Sequence, residues 1–327
     1  MANGISRLAI AAFACVAVCL GGHPHASAQG YPDRTVKIVV PTAPGGAIDT
    51  TARVIGEKLQ AKWGKSVIVE NRPGAAMRIG ADAVAKAPAD GYTLLVAHDG
   101  TMAINPVVFP DLPYDPQKDF EPVGLVATIP EVVMVNVDVP AKSIVELIAL
   151  AKKEPGKLTH ASGGSATLLA LELFKAMTGT DIRSIPYRGG APATTAAISG
   201  ETSMIIADLA TGAAGLQSDR IRPLAVTSLA RSKKYPDIPT LNEAGVKGYE
   251  VNTWMGFFAP AGTPKDVIAR IEEGIKEAVQ QPDVRQRFEM TGMDVRNGTA
   301  EEMRSILAID IEKWRKLVQE QNIKIAP

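Results

Sequence analysis

Cysteine is almost missing from this chain. Its only two, Cys15 and Cys19, fall within the first 28 residues. The remainder therefore has no disulfide and no thiolate chemistry, and it must be held by a hydrophobic core alone. Histidine is nearly as scarce. Beyond His23 and His25 only His98 and His160 remain, and no H-x-x-x-H or H-E-x-x-H spacing offers a metal site. Charge of one sign is also lacking. Of 35 basic residues only Arg7 lies in the first 28, leaving 34 against 35 acidic ones. That balance argues against nucleic acid or an anionic membrane surface as partner. There is no internal repeat, charge block or low-complexity segment, and no apolar run is long enough to span a bilayer.

What is present begins with an export pattern. Arg7 supplies a positive n-region, Leu8–Leu20 an apolar stretch, and Ala26-Ser27-Ala28 a small-residue cleavage site. Residues 1–28 therefore read as a signal peptide cleaved near Ala28, and the mature chain is expected in the periplasm. A lipid anchor at Cys15 or Cys19 is the competing reading, but the residues before each cysteine fit a lipoprotein site poorly. Removing 28 of 327 residues leaves 299. That is long for one core and predicts two lobes.

Strand and helix patterns alternate along the mature chain, as in an α/β protein with mostly parallel sheets. Strands are expected at 36–40, 66–70, 93–97, 158–161, 181–186, 203–207 and 222–227. A helix is expected from Asp49, as N-cap, to Lys62. Ser143 with Glu146 and Thr299 with Glu302 have capping-box spacing, and Thr263-Pro264 reads as an N-cap followed by proline at the first helical position. Met303, Leu307, Ile311, Trp314 and Val318 give the last helix one apolar stripe.

Three loops join a strand end to a helix start: 41–49, 162–167 and 187–193. In open α/β sheets, ligands bind beyond the carboxyl ends of strands. The first loop, Pro41-Thr-Ala-Pro-Gly-Gly-Ala-Ile-Asp49, aims backbone N–H groups and the positive end of a helix dipole at one spot, which suits an anion. It lacks the Lys-Ser/Thr of a Walker loop and the pattern G-x-G-x-x-G. The expected anion site is the backbone of Ala43, Gly45, Gly46, Ala47 and Ile48 with Ser165 to Thr167. Hydroxyls of Thr42, Ser162, Ser165 or Thr167 are expected to help, and Asp49, Tyr187 and Asp208 to line the same cleft. Asp208 follows an apolar strand and either caps the next segment or faces the cleft.

Catalytic chemistry is hard to assemble. A Ser–His–Asp group could be drawn from Ser162 or Ser165 with His160 and Asp208, but no G-x-S-x-G elbow supports it. His160 reads instead as a strand-end residue. The expectation is a binding protein without cofactor or metal, and a monomer.

Together these residues resemble the periplasmic solute-binding receptors of tripartite tricarboxylate transporters, the Bug family. Besides the first loop, the likeness includes Val69-Glu-Asn-Arg-Pro-Gly-Ala75, Ala87-Pro-Ala-Asp-Gly-Tyr-Thr93, Ile104-Asn-Pro106 and Leu112-Pro-Tyr-Asp-Pro116. It continues through Glu172-Leu-Phe174, Ile185-Pro-Tyr-Arg-Gly-Gly-Ala-Pro192, Leu224-Ala-Val-Thr-Ser228 and Ala259-Pro-Ala-Gly-Thr-Pro264. The resemblance implies a two-lobed α/β periplasmic-binding-protein architecture, type II-like, with a cleft between lobes joined by crossing strands near 128–133 and 246–253. It implies lobe 1 at 31–132 plus 250–327 and lobe 2 at 133–249. It also implies a small organic carboxylate as solute and the membrane permease subunits as partners. A periplasmic sensing module feeding a signalling partner is the alternative. Departures from the family fall at Met77-Arg78, where Gly-Asn is common, at His98-Asp99, where small polar residues are frequent, and at Leu168, where a histidine often stands. Arg78 is thereby either a partner for a second carboxylate or a solvated helix-start arginine, and Asp99 either meets a ligand amine or other donor or caps a turn.

Overall fold

The computed structural model describes residues 30–323; the expected signal peptide lies outside the described residues. The chain runs β1 (Val36–Val40), α1 (Ala47–Trp63), β2 (Val67–Asn71), α2 (Arg78–Ala85) and β3 (Thr93–His98). A π turn at Gly100–Ile104 and the short α3 (Asn105–Val108) then lead into β4 (Phe120–Asn136). Next come α4 (Ile144–Lys153), β5 (Thr159–Ser162), α5 (Ser165–Thr178), β6 (Arg183–Pro186), α6 (Gly190–Ser199), β7 (Met204–Asp208), α7 (Ala213–Leu216) and β8 (Ile221–Val226). The chain closes with β9 (Asn252–Pro260), α8 (Lys265–Gln280), α9 (Pro282–Met290), β10 (Asp294–Gly298) and α10 (Ala300–Glu320).

The strand order is β2-β1-β3-β9-β4-β7-β5-β6, with β10 and β8 also on β4. Strands β1, β2 and β3 pair in parallel, as do β5, β6 and β7. Every pairing of β4 and β9 is antiparallel. β4 is the crossing strand. Its first half, to Pro130, pairs with β9 and β10, and its second half, from Glu131, with β7 and β8. The result is a two-lobed α/β architecture of the periplasmic-binding-protein type, each lobe centred on its own parallel strands.

Side chains of the inner strands alternate between two apolar clusters, one on each face. Val39, Leu95 and Phe258 enter one cluster; Ile38, Val40, Leu94, Val96 and Phe257 enter the other. Burial on both faces is what helix-covered strands require, and it explains their unbroken Val/Ile/Leu runs. The stripe of α10 buries Met303, Leu307, Ile311 and Trp314 as expected, with Leu317 buried at its end and Val318 only half-buried.

Of four expected helix starts, two form as read and two do not. Ser143 Oγ accepts from Glu146 N at 3.2 Å and Thr299 Oγ1 from Glu302 N at 3.0 Å, so both expected caps form. The cap of α1 is Gly46 rather than Asp49, which stands at the third helical position. The cap of α8 is Pro264, and Thr263 turns its hydroxyl back onto the Pro260 carbonyl at 2.7 Å. Among the described residues no helix is long and apolar enough to cross a membrane.

Candidate ligand site

Each set of parallel strands ends in its own group of loops, and His98 at the end of β3 feels the charge of Asp208 at the end of β7. The first group holds the loop after β1 and the end of β3 at His98. The second holds the loops after β5, β6 and β7. Leu209 N donates to Pro130 O at 3.1 Å, tying the end of β7 to the point where β4 changes partners. Gly292, before β10, packs against Leu209 and Ala210.

In the first loop, α1 opens at Ala47 behind Gly46, whose backbone is extended at φ −83° and ψ 175°. The N–H groups of Ala47, Ile48 and Asp49 belong to the first turn and have no acceptor within the helix. Thr50 N is the first to bond back, to Gly46 O at 2.9 Å. A β-carbon added at Gly46 would meet nothing within 4 Å. Asp49 is almost fully buried and braces the loop from inside. Its carboxylate accepts from Gly45 N, Arg53 Nε and Asn71 Nδ2, each at 2.9 Å. Burial works against ionisation here, but these donors outweigh it and hold the Asp49 carboxyl below its usual range. Of the expected backbone donors, the Gly45 N–H is thus already engaged, while Ala43 is exposed. Thr42 Oγ1 is buried without a hydrogen-bond partner.

The second and third loops are packed together. A β-carbon on Gly163 would lie 2.8 Å from Gly190 Cα, so the two turns touch backbone to backbone and glycine is required there. Tyr187 N donates to Ser162 O at 2.8 Å across the same junction. The hydroxyls are used locally. Thr167 Oγ1 accepts from Gly163 N at 3.0 Å and lies 3.3 Å from Ser162 Oγ, and both hydroxyls reach Gly164 O. Ser165 opens α5 with Gly164 as cap, and a β-carbon at Gly164 would also meet open space. The Tyr187 hydroxyl donates to Glu201 at 2.8 Å, an exposed contact. Arg188, next to it, is exposed.

Arg78 follows three consecutive left-handed residues, Ala75, Ala76 and Met77, with φ of 48°, 54° and 71°. Its Nε donates to Ala75 O at 2.9 Å, Nη1 reaches Asp111 at 3.4 Å, and the guanidinium sits 4.3 Å from the Phe109 ring centroid. The cation is committed to that corner.

His98, Asp99 and Asp208 come together where the lobes meet. The Asp208 carboxylate accepts from Ala210 N at 3.1 Å and Thr211 N at 2.8 Å, capping the following turn, and its charge also acts on His98. Burial pushes the His98 imidazole below its ordinary pKa, with Asp208 opposing. His98 Nδ1 lies 3.8 Å from Asp99 Oδ1. Asp99 is buried, and desolvation, reinforced by Asp310, raises its pKa to about 8. Sequence reasoning missed Glu131. This residue is the register partner of Asp208, is 2% exposed, and has Oε2 buried without a hydrogen-bond partner. Burial, then Asp99 and Asp208, raise its pKa well above the usual range. Its signal was an acid inside the apolar run Ile129-Pro-Glu-Val-Val-Met134. His160 is fully buried within β5, accepts from Ile206 N at 3.1 Å through Nε2, and is pushed down to about 3 by burial. That use of Nε2 leaves it serving the sheet.

Comparison with known proteins follows the same lines. The profile described as "Tripartite tricarboxylate transporter family receptor" matches residues 51–323. The protein BugT of Bordetella pertussis is 35% identical over 302 residues, covering 91% of this chain and 93% of its own. The R. palustris protein Rpa4515, solved with adipate, is 34% identical with a TM-score of 0.76, covering 88% of this chain and 97% of its own. MatC from Rhodopseudomonas palustris, solved with bound malate, is 31% identical with a TM-score of 0.73, covering 88% and 100%. With the fold, the loops and a match over most of its length in agreement, this chain belongs to the tripartite tricarboxylate transporter receptor family.

Proposed function

We propose that this protein is a periplasmic receptor that captures a small carboxylate-bearing solute between its lobes and delivers it to a tripartite-type membrane transporter. The observation that carries this reading is the pair of helix N-termini, α1 and α5, capped by Gly46 and Gly164 with open space in front of both. First-turn N–H groups from two lobes can then bind one carboxylate by charge-assisted hydrogen bonds, with no side-chain cation competing. Adipate and malate in the two Rhodopseudomonas relatives support the same chemistry. We assign lobe 1 to residues 31–132 with 250–327 and lobe 2 to 133–249. Because each lobe supplies only part of the donor set, solute binding favours the closed form. A thermal-shift screen of carboxylates and neutral sugars tests the class, since a ligand stabilises by mass action. A carboxylate is expected to raise the melting temperature; a sugar that does so while every carboxylate fails overturns it.

A further inference from the structure

We propose that the solute carries, at the end remote from its carboxylate, a hydrogen-bond donor or cation such as an amine, and that Glu131, Asp208 and His98 receive it. This rests on the carboxylate-receptor reading and adds the class of the solute's second group. Glu131 is the leading observation: it is 2% exposed, and its Oε2 is a buried polar atom without a hydrogen-bond partner, which an entering polar group can satisfy. It sits at the residue where β4 leaves one sheet for the other, opposite Asp208 in register. His98, at the end of β3, is within electrostatic reach of Asp208 from the other lobe. The three therefore stand at the junction of the two lobes.

The charges that surround this junction decide the sign of its ligand. Asp99 on the β3 side and Asp310 on α10 add two more carboxyls. The cation in this group, Lys313, is held by Asp310 at 2.6 Å and lies 4.4 Å from the Trp314 ring centroid. Arg53 is bound to Asp49 and Asn71, and Arg78 to Ala75 and Asp111. A second carboxylate would add to the crowding that already keeps the Glu131 and Asp99 carboxyls protonated, whereas an ammonium would give them donors and favour their ionised forms.

The test uses matched trios of straight-chain alkanoate, ω-aminoalkanoate and α,ω-dicarboxylate, with benzoate, 4-aminobenzoate and terephthalate as a rigid trio. Affinities are read by calorimetry on the full mature chain. In at least one trio the amine is expected to bind about tenfold or more tighter than the dicarboxylate and the unsubstituted acid. Glu131→Gln and Asp208→Asn are each expected to weaken the amine about tenfold while changing the unsubstituted acid less than about twofold. Ligand-free melting curves establish that both variants are folded. Dicarboxylates binding tighter than amines in every trio, or amines and unsubstituted acids binding alike, overturns this inference and leaves the carboxylate receptor standing. Binding by no carboxylate at all removes the receptor reading, and this inference with it.

Discussion

Replacing Gly46 by valine separates the site from the fold. The backbone there is extended, a conformation open to every residue, and a β-carbon would touch nothing within 4 Å. The fold therefore loses only the difference between glycine and valine as a helix cap, about 0.5–1 kcal/mol. For a chain of this size that lowers the melting temperature by about 1–3 °C. Binding is a different matter. The two valine methyls would stand where a carboxylate must come within hydrogen-bond distance of the Ala47 and Ile48 N–H groups. A hydrogen bond to a charged group contributes about 1.5–3 kcal/mol. Losing two weakens affinity about a hundredfold or more. Calorimetry with the carboxylate giving the largest thermal shift reads the binding, and a melting curve without ligand reads the fold. Unchanged affinity in a folded Gly46→Val variant would show that the carboxylate sits elsewhere. A collapse of the ligand-free melting temperature would show that the space before Gly46 is not open.

Asp99 predicts a pH dependence. Its folded pKa of about 8 stands above the ordinary ~3.9, so between those values the folded protein holds a proton the unfolded chain has released. Stability therefore falls as pH rises through that window, by up to ~1.4 kcal/mol per unit, and Asp99→Asn should flatten the melting temperature against pH; parallel curves would refute this. The left-handed Ala76 is exposed, and Ala76→Gly should relieve about 1 kcal/mol of backbone strain, partly offset by glycine's unfolded-state entropy; urea unfolding with no gain counts against the strain. Saturating carboxylate should shrink the radius of gyration in small-angle scattering, whereas an identical curve with binding confirmed by calorimetry means the cleft is preformed.

Much of the scaffold was readable because it is local. The Ser143 and Thr299 caps, the α10 stripe and the short parallel strands follow from spacing within one element. Their edges moved by one to three residues where a neighbour intervened: α1 starts two residues before Asp49 because the buried carboxylate serves Gly45, Arg53 and Asn71 rather than the helix end. The long β4 was glimpsed only as a crossing near 128–133. Both faces are buried, so no alternation marks it, and Pro122, Gly124 and Pro130 read as breakers. Pro122 and Gly124 are tolerated because the ladder shifts register between them and again between Leu125 and Ala127, and Pro130 falls where β4 passes from β9 to β7. β10 is short and partly exposed, and its place beside β4 is set by a partner more than 160 residues away in sequence. The site divides the same way. Turn glycines announce themselves, whereas the tie of Arg78 to Asp111 and Phe109, of Tyr187 to Glu201, and of Glu131 to the lobe junction depends on contacts no spacing encodes.

That division has a physical basis in the proposed cleft. Its carboxylate end is made of peptide N–H groups, which every residue but proline supplies. The sequence must therefore specify only the turns, through Gly46, the Gly163–Gly190 contact and the Asp49 brace. Such a device works for any carboxylate. The opposite end is made of side chains at strand termini, His98, Asp99 and Asp208, and of Glu131 on β4. Strand pairing there depends on the backbone, so these side chains can be exchanged without disturbing the sheet. Of the residues expected to depart from the family, His98 and Asp99 stand at this junction, whereas Arg78 is tied to Ala75, Asp111 and the Phe109 ring. Selectivity is then a property of a few strand-end side chains, and exchanging His98, Asp208 or Glu131 should alter which carboxylate is bound more than whether one is.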